Sequence, residues 1–454
     1  MPFKQHSRQY DLIVFGATGY TGKLTAQHIT THLPTDLKWA VAGRSRDKLQ
    51  RAVEDLKFLN PDRLQPSVEV CNLSDDDLTA LAKKTLILIT TVGPYHRYGE
   101  HAFKACAEQG THYLDVTGEA VWVAKMIRKY ESVARSSGAK MFPQIGIESA
   151  PPDLVTFALA SVVRSQLSGA KVGPVTVSIH KFKSAPSGGT VATVLSIRES
   201  FSLPELQATF KPYALSPVPN PNRSATPKRS FLTKLTGLIN LPILGLHTTA
   251  LPSSTDRAIV QRSWGLYASG VVPGQPSYGP NFSFSEFMRT RSWTSGIMFH
   301  FTLIGFGLLF VIPQSLRNIV AKWLVKHGPG EGPDQELAKT TSELEYRGTA
   351  VPDVEGETKR GFCRAWYKGD AYYCEFTYPL STPVGAYVQT NNRITVTGVL
   401  LAEAASSLLE DDDVASQLPG GVFTAACLGQ PFIDRLDNAG FHFESKLVDK
   451  NDRL

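Results

Sequence analysis

Residues 10–22 read Tyr10-Asp11-Leu12-Ile13-Val14-Phe15-Gly16-Ala17-Thr18-Gly19-Tyr20-Thr21-Gly22, and the helical pattern KLTAQHITTHL follows. A short apolar run, a glycine turn and a helix are thus joined without a spacer. Glycines at 16, 19 and 22 give GxxGxxG, a relative of the dinucleotide fingerprint. The chemistry explains the spacing. The chain must turn sharply after the strand, and its backbone must approach a pyrophosphate with no side chain between. The helix then directs unpaired N–H groups and a positive dipole end at the phosphates. Gly16, Ala17, Thr18, Gly19, Tyr20, Thr21 and Gly22 are therefore candidate cofactor-binding residues.

Outward from this turn, short apolar runs alternate with amphipathic stretches. Tyr10–Phe15, Trp39–Ala42, Val68–Cys71, Leu86–Thr91, His112–Asp115 and Lys140–Gln144 are predicted strands. Helical patterns lie near 20–33, 46–58, 75–84, 100–109 and 118–137. This alternation predicts an α/β fold: a Rossmann-type, doubly wound parallel sheet over 1–150. The second strand ends AVAGRS, so Arg44 and Ser45 stand where an NAD enzyme usually places Asp or Glu. A guanidinium suits a ribose 2′-phosphate through charge and a bidentate fork. The cofactor expected is NADP(H), with Arg46 and Lys48 adding to the positive field.

Ligands of open α/β sheets lie beyond the carboxyl ends of the strands. The fourth strand ends TTVGPYHRYGE, which puts Val92, Gly93 and Pro94 beside the nicotinamide, followed by Tyr95, His96, Arg97 and Tyr98. Tyr95, His96 and Tyr98 are the catalytic candidates, able to deliver a proton or support an oxyanion. Asp115, Thr117, Gly118 and Glu119 close the next strand at the same face, where Asp115 is expected to hold a loop by hydrogen bonds.

Pro151 and Pro152 punctuate the chain, and Asp153 is expected to cap the helix that follows. From about 172 the pattern becomes β-like, predicting a second, α+β substrate domain over 151–415. Residues 205–290 are expected to be a flexible insertion, proline-rich and basic over Phe210–Lys234. Residues 416–454 form a C-terminal element. Ser187-Gly188-Gly189-Thr190, before an apolar stretch, is a possible anion site or a plain helix cap. Ser295–Pro313 carries no Asp, Glu, Lys or Arg, and about 20 such residues are needed to cross a bilayer. Arg289 and Arg291 precede it; Arg317, Lys322 and Lys326 follow. A spanning or embedded membrane segment is expected here, against the alternative of a buried core helix. No signal-peptide or lipidation pattern is seen, so the chain is expected on the cytosolic face, membrane-associated through 295–313, at the endoplasmic reticulum or a lipid droplet.

Composition sets the limits. Of 454 residues, 42% are hydrophobic and 19% charged, which excludes a disordered or disulfide-stapled chain. A net charge of +6 is too small an excess to argue for nucleic acid. The five cysteines (71, 106, 363, 374 and 427) show no close metal or redox spacing. Reduced, mostly buried thiols and no metal are expected.

These motifs resemble the saccharopine dehydrogenase-like oxidoreductases. The resemblance rests on GATGYTG at 16–22, AGRS at 42–45, VGPYHRYGE at 92–100, ACAEQGTHYLDVTGE at 105–119 and IGIESAPPDL at 145–154. SGGTVATVL at 187–195 and GGVFTAACLGQPFIDRLDNAGFHFE at 420–444 extend it. Within that family the chain looks more like the trans-acting enoyl reductase branch than like true saccharopine reductases. The uncharged segment has no obvious use in an amino-acid enzyme, and no arginine cluster suits three carboxylates. The resemblance implies an NADPH-dependent reductase of a polyketide or lipid-type acyl intermediate, carrier-bound, with a polyketide synthase as a possible partner. It also implies that 416–454 packs back on the first domain. Two alternatives stay open: a saccharopine-type imine reductase, and a non-catalytic membrane or lipid-droplet protein with a vestigial cofactor site.

Overall fold

The computed structural model describes residues 3–183, 196–222, 229–308, 343–368, 396–410 and 414–452. The motif at 187–190, residues 309–313 of the apolar run, the linker 327–337 and Cys374 lie outside the described residues.

The first unit alternates strand and helix: β1 (Tyr10–Phe15), α1 (Tyr20–His32), β2 (Trp39–Gly43), α2 (Arg46–Leu59), β3 (Ser67–Val70), α3 (Asp75–Lys84), β4 (Thr85–Thr90), α4 (Tyr95–Tyr98), α5 (Glu100–Gln109), β5 (His112–Asp115), α6 (Ala120–Ser137) and β6 (Lys140–Phe142). Helices cover both faces, so β1, β2 and β4 are continuous apolar runs rather than alternating ones. Ser45 and Ser74 cap α2 and α3 by accepting from Lys48 N and Asp77 N.

The second unit contains α7 (Ala150–Gln166), β7 (Val172–Lys183), α8 (Leu203–Thr209), α9 (Phe231–Thr236), β8 (Ile239–Leu241), β9 (Gly245–Thr249), α10 (Ser253–Ala268), β10 (Ser283–Arg289), α11 (Trp293–Leu308), β11 (Glu343–Pro352) and β12 (Lys359–Lys368). The chain then continues as α12 (Val396–Leu409), α13 (Val414–Gln417), β13 (Gly421–Val422), α14 (Gly429–Asn438) and β14 (Phe441–Asp449).

Among the described residues, the strands form two seven-stranded sheets. The first runs β13-β6-β5-β4-β1-β2-β3, all parallel, and its order reverses between β1 and β4. The second runs β14-β12-β11-β7-β10-β9-β8 and is antiparallel except for β7 with β10. Helix α7 is buried nearly all round, because one continuous apolar core runs from Leu12 and Val14 of the first sheet through Leu154 and Leu159 to Val175 and Phe284 of the second.

Several expectations change. Asp153 lies inside α7, whose N-cap is Ser149. It accepts from Ser263 Oγ (2.6 Å) and Ala426 N (2.8 Å), so it ties elements together rather than capping. Much of 205–290 is regular structure. Helix α10 escapes sequence reading because its buried face carries polar groups, among them Asp256, Gln261, Arg262 and Ser263, and so lacks apolar periodicity. Residues 396–409, placed by the sequence in the second unit, pack on α1, β4 and β5 of the first. The C-terminal segment divides: β13 extends the first sheet beside β6, and β14 extends the second beside β12. The uncharged segment forms α11 as far as Leu308, and among the described residues no helix is long and apolar enough to cross a membrane.

Candidate active site

The glycine turn sits at the carboxyl end of β1, beside the point where strand order reverses. Gly16 has φ +91° and donates to Ala42 O (2.9 Å). A Cβ at Gly22 would lie 2.2 Å from Gly16 O and 2.7 Å from Thr91 Oγ1. That hydroxyl donates toward the carbonyls of Phe15 (3.3 Å) and Gly16 (3.2 Å), pinning the end of β4 to the turn. The first turn of α1 therefore approaches the loop as closely as bare backbone allows. Gly19, its N-cap, has no side-chain cap. An uncapped helix N-terminus on a glycine-bounded turn fits a pyrophosphate.

Arg44 lies at the carboxyl end of β2, exposed, and among the described residues no carboxylate pairs with it. Arg46 and Lys48 are exposed beside it. Ser45 is occupied as the cap of α2, with its hydroxyl 3.5 Å from Lys48 N. The guanidinium is thus the free group at the ribose position.

Val92 and Gly93 follow β4, and the Gly93–Pro94 peptide is cis. The next turn is built around Glu119. Its carboxylate accepts from Tyr95 N (2.8 Å) and His96 N (2.9 Å), and lies 2.7 Å from His96 Nδ1. Ser196 Oγ stands 3.1 Å from His96 Nε2. Glu119, His96 and Ser196 therefore form one hydrogen-bonded line, with the imidazole orientation fixed at both nitrogens. The side chains of His96 and Glu119 are fully buried.

Tyr95 differs from its expected role. Its hydroxyl donates to Thr90 O (2.9 Å) and accepts from Val116 N (3.4 Å), which bridges the ends of β4 and β5. Burial, with Asp115 nearby, pushes its ionisation well above the usual phenol range. It is a brace. Tyr98 lies on the exposed side of the turn, 39% accessible. Of the three candidates, the structure brings His96 into a polar chain and keeps Tyr95 and Tyr98 out of it.

Asp115 is buried and accepts from Tyr113 Oη (2.7 Å), Thr117 N (2.9 Å) and Gln144 N (2.8 Å). Burial raises its pKa to about 7. It fastens the loops after β5 and β6. Gln144 has φ +68°, an uncommon backbone for a side-chain-bearing residue.

Three acids at the junction of the two units escaped sequence reading. Glu148 follows β6, its Oε2 3.1 Å from where a Gly118 Cβ would stand. Asp256 of α10 and Glu286 of β10 face each other in the interior, and none of their four carboxylate oxygens has a hydrogen-bond partner among the described residues. Burial drives all three toward the protonated form, Glu286 to about 8, and facing Glu286 pushes Asp256 further. Glu119 and Ser196 were also missed as His96's partners. Glu119 had a signal, its place at the same strand edge; Ser196 had none. No group of acids, histidines and cysteines able to hold a metal is found among the described residues.

Residues 12–141 match the family model described as the saccharopine dehydrogenase NADP binding domain. The chain is 29% identical to a trans-acting enoyl reductase of Mycobacterium bovis, over 95% of this chain and 97% of that one. It is 27% identical to the saccharopine dehydrogenase-like oxidoreductase of Homo sapiens, over 96% and 97%. Its fold is similar to saccharopine dehydrogenase (L-Glu forming) from Saccharomyces cerevisiae, with a TM-score of 0.50, 10% identity and coverage of 97% of this chain and 100% of that one. The glycine cradle and the unpaired Arg44 agree with that domain. Residues 12–141 thus match the saccharopine dehydrogenase NADP binding domain, and the cofactor is NADP(H).

Proposed function

We propose that the chain is a trans-acting enoyl reductase, acting on the α,β-unsaturated thioester of a polyketide or lipid-type acyl chain carried by a separate synthase. Bound NADPH supplies a hydride to the β-carbon. The alkene electron pair then moves to the thioester oxygen as an enolate, and the α-carbon takes a proton. The residues divide this work. Gly16–Gly22 and Arg44 hold the phosphates, and Val92–Pro94 shape the nicotinamide side. Glu119 fixes the imidazole, and His96 with Ser196 relays the proton. Tyr95 braces the strand ends.

The observation that carries this reading is the line Glu119–His96–Ser196 at the carboxyl edge of β4, where a proton donor is needed. Full-length likeness to proteins named trans-acting enoyl reductase supports the choice of substrate class.

NADPH oxidation would be followed against enoyl-pantetheine thioesters and against saccharopine precursors. Turnover of the thioesters is expected, with His96→Ala slowed about 100-fold or more and still binding NADPH. Turnover of the amino-acid precursors alone, NADPH binding without any turnover, or full activity in His96→Ala would overturn the proposal.

A further inference from the structure

Helix α11 is apolar on most of its circumference, and one apolar face is left uncovered. Two hydrogen bonds fasten its inner side: Thr248 Oγ1 donates to Gly296 O (2.8 Å), and Thr249 Oγ1 meets His300 Nδ1 (2.8 Å). Its outward residues are apolar. Met298, Phe301 and Leu308 are exposed at i, i+3 and i+10, on one face, with Trp293 and Ile304 at its flanks. The apolar stripe of an ordinary surface helix faces the core.

A second helix continues the face. The end of α9 packs on α11, where a Cβ at Gly237 would fall 2.5 Å from the His300 ring. Short as it is, α9 exposes Phe231, Leu232 and Leu235, with Phe231 78% accessible. Taking about 200 Å² per aromatic side chain, Phe231, Trp293 and Phe301 alone leave about 400 Å² in water. That matches the largest apolar patch of an ordinary monomer, about 300–600 Å², before the aliphatic residues are added.

Charge names the occupant. No Asp or Glu occurs between Arg229 and Thr255 or between Phe287 and Gly330, whereas Arg229, Lys234, Arg289 and Arg291 border the two helices. Arg229, Lys234 and Arg291 are exposed. An apolar face with a wholly basic border is complementary to a surface that is oily inside and negative at its rim.

We propose that α9 and α11 form one docking face for an anionic lipid bilayer, with the apolar side chains inserted to interfacial depth and the basic border at the headgroups. The helices lie on the membrane and do not span it. The proposal does not depend on which bond the enzyme reduces.

Flotation of the full chain with phosphatidylcholine vesicles, with and without phosphatidylserine, tests it. Binding is expected to the anionic vesicles and to weaken with salt. Met298→Glu with Phe301→Glu, and separately Leu232→Glu with Leu235→Glu, should each lower it by about tenfold or more. Because these side chains are exposed, both variants should keep their NADPH affinity. Three results would overturn the proposal: no flotation of the parent chain, flotation unchanged in both variants, or a dimer by light scattering that the substitutions split while vesicle binding persists. The last would assign the face to a second copy of the chain.

Discussion

Gly22→Ala tests the cofactor cradle most directly. By helix propensity alone the change should stabilise α1, by up to about 1 kcal/mol. The structure reverses that expectation. The new Cβ would lie 2.2 Å from Gly16 O, 2.8 Å from Gly16 C and 2.7 Å from Thr91 Oγ1. Non-bonded heavy atoms rest at about 3.5 Å, so helix and turn must part by about 1 Å. Neither side yields easily. Gly16 is backbone, and Thr91 is held by the carbonyls of Phe15 and Gly16. Overpacking of this kind costs about 1–3 kcal/mol. The same displacement moves the helix N-terminus off the phosphates, and weakening one charge-assisted hydrogen bond there costs about 1.5–3 kcal/mol. The expected outcome is a lower Tm together with an NADPH Kd raised about 10- to 100-fold. Fluorescence titration and thermal melting would measure both. Gly43→Ala is the control, since its Cβ would meet nothing closer than 3.7 Å and should be tolerated. NADPH bound by Gly22→Ala within about threefold of the parent, a difference of under 1 kcal/mol, would refute the argument.

Arg44→Ala should weaken NADPH about tenfold, the lower end for a charge-assisted contact because the site is exposed, and leave NADH unchanged; equal losses for both nucleotides would remove Arg44 from the 2′-phosphate. Stability should also depend on pH through Asp115. Its folded pKa, about 7, stands above the unfolded value of 3.8, so the native chain holds a proton that the unfolded chain loses between them. Its contribution is present below pH 4 and lost as pH rises through 7. In Asp115→Asn, Oδ1 can still accept from Thr117 N and Gln144 N, and the amide can donate to Tyr113 Oη. The variant should gain on the parent as pH rises from 4 to 8, by up to about 4 kcal/mol, and denaturant melts across that range would show it.

The cofactor half was legible in the sequence because its rules are local. A strand, a glycine turn and a helix N-terminus are neighbours in the chain, and Arg44 follows its strand directly. The apolar strands announced themselves because helices bury both faces. The rest was hidden for specific reasons. His96 stood out as a titratable residue, but its partner Ser196 lies a hundred residues away. Tyr95 read as a reactive phenol, although Thr90 O and Val116 N, which occupy it, are backbone groups without a sequence signature. Helix α10 and the pair Asp256–Glu286 escape sequence reading because polar residues ordinarily mark exposed positions, whereas these groups are buried. The uncharged run at 295–313 stands out in the sequence, but its length alone does not reveal that α11 would leave one apolar face exposed.

The division of the C-terminal segment between the two sheets bears on how the protein is made. Strand β6 gains its outer neighbour only from Gly421 and Val422, and α1 is covered by α12, where His28 Nε2 meets Glu403 Oε1 at 2.8 Å in the interior. A nascent chain that has emerged as far as residue 150 holds every cofactor-binding candidate, yet has a bare sheet edge and an uncovered helix. The nucleotide-binding unit is completed only once α12 and β13 have left the ribosome. Truncation before Gly421 would therefore be felt in the nucleotide-binding unit, which is translated earlier.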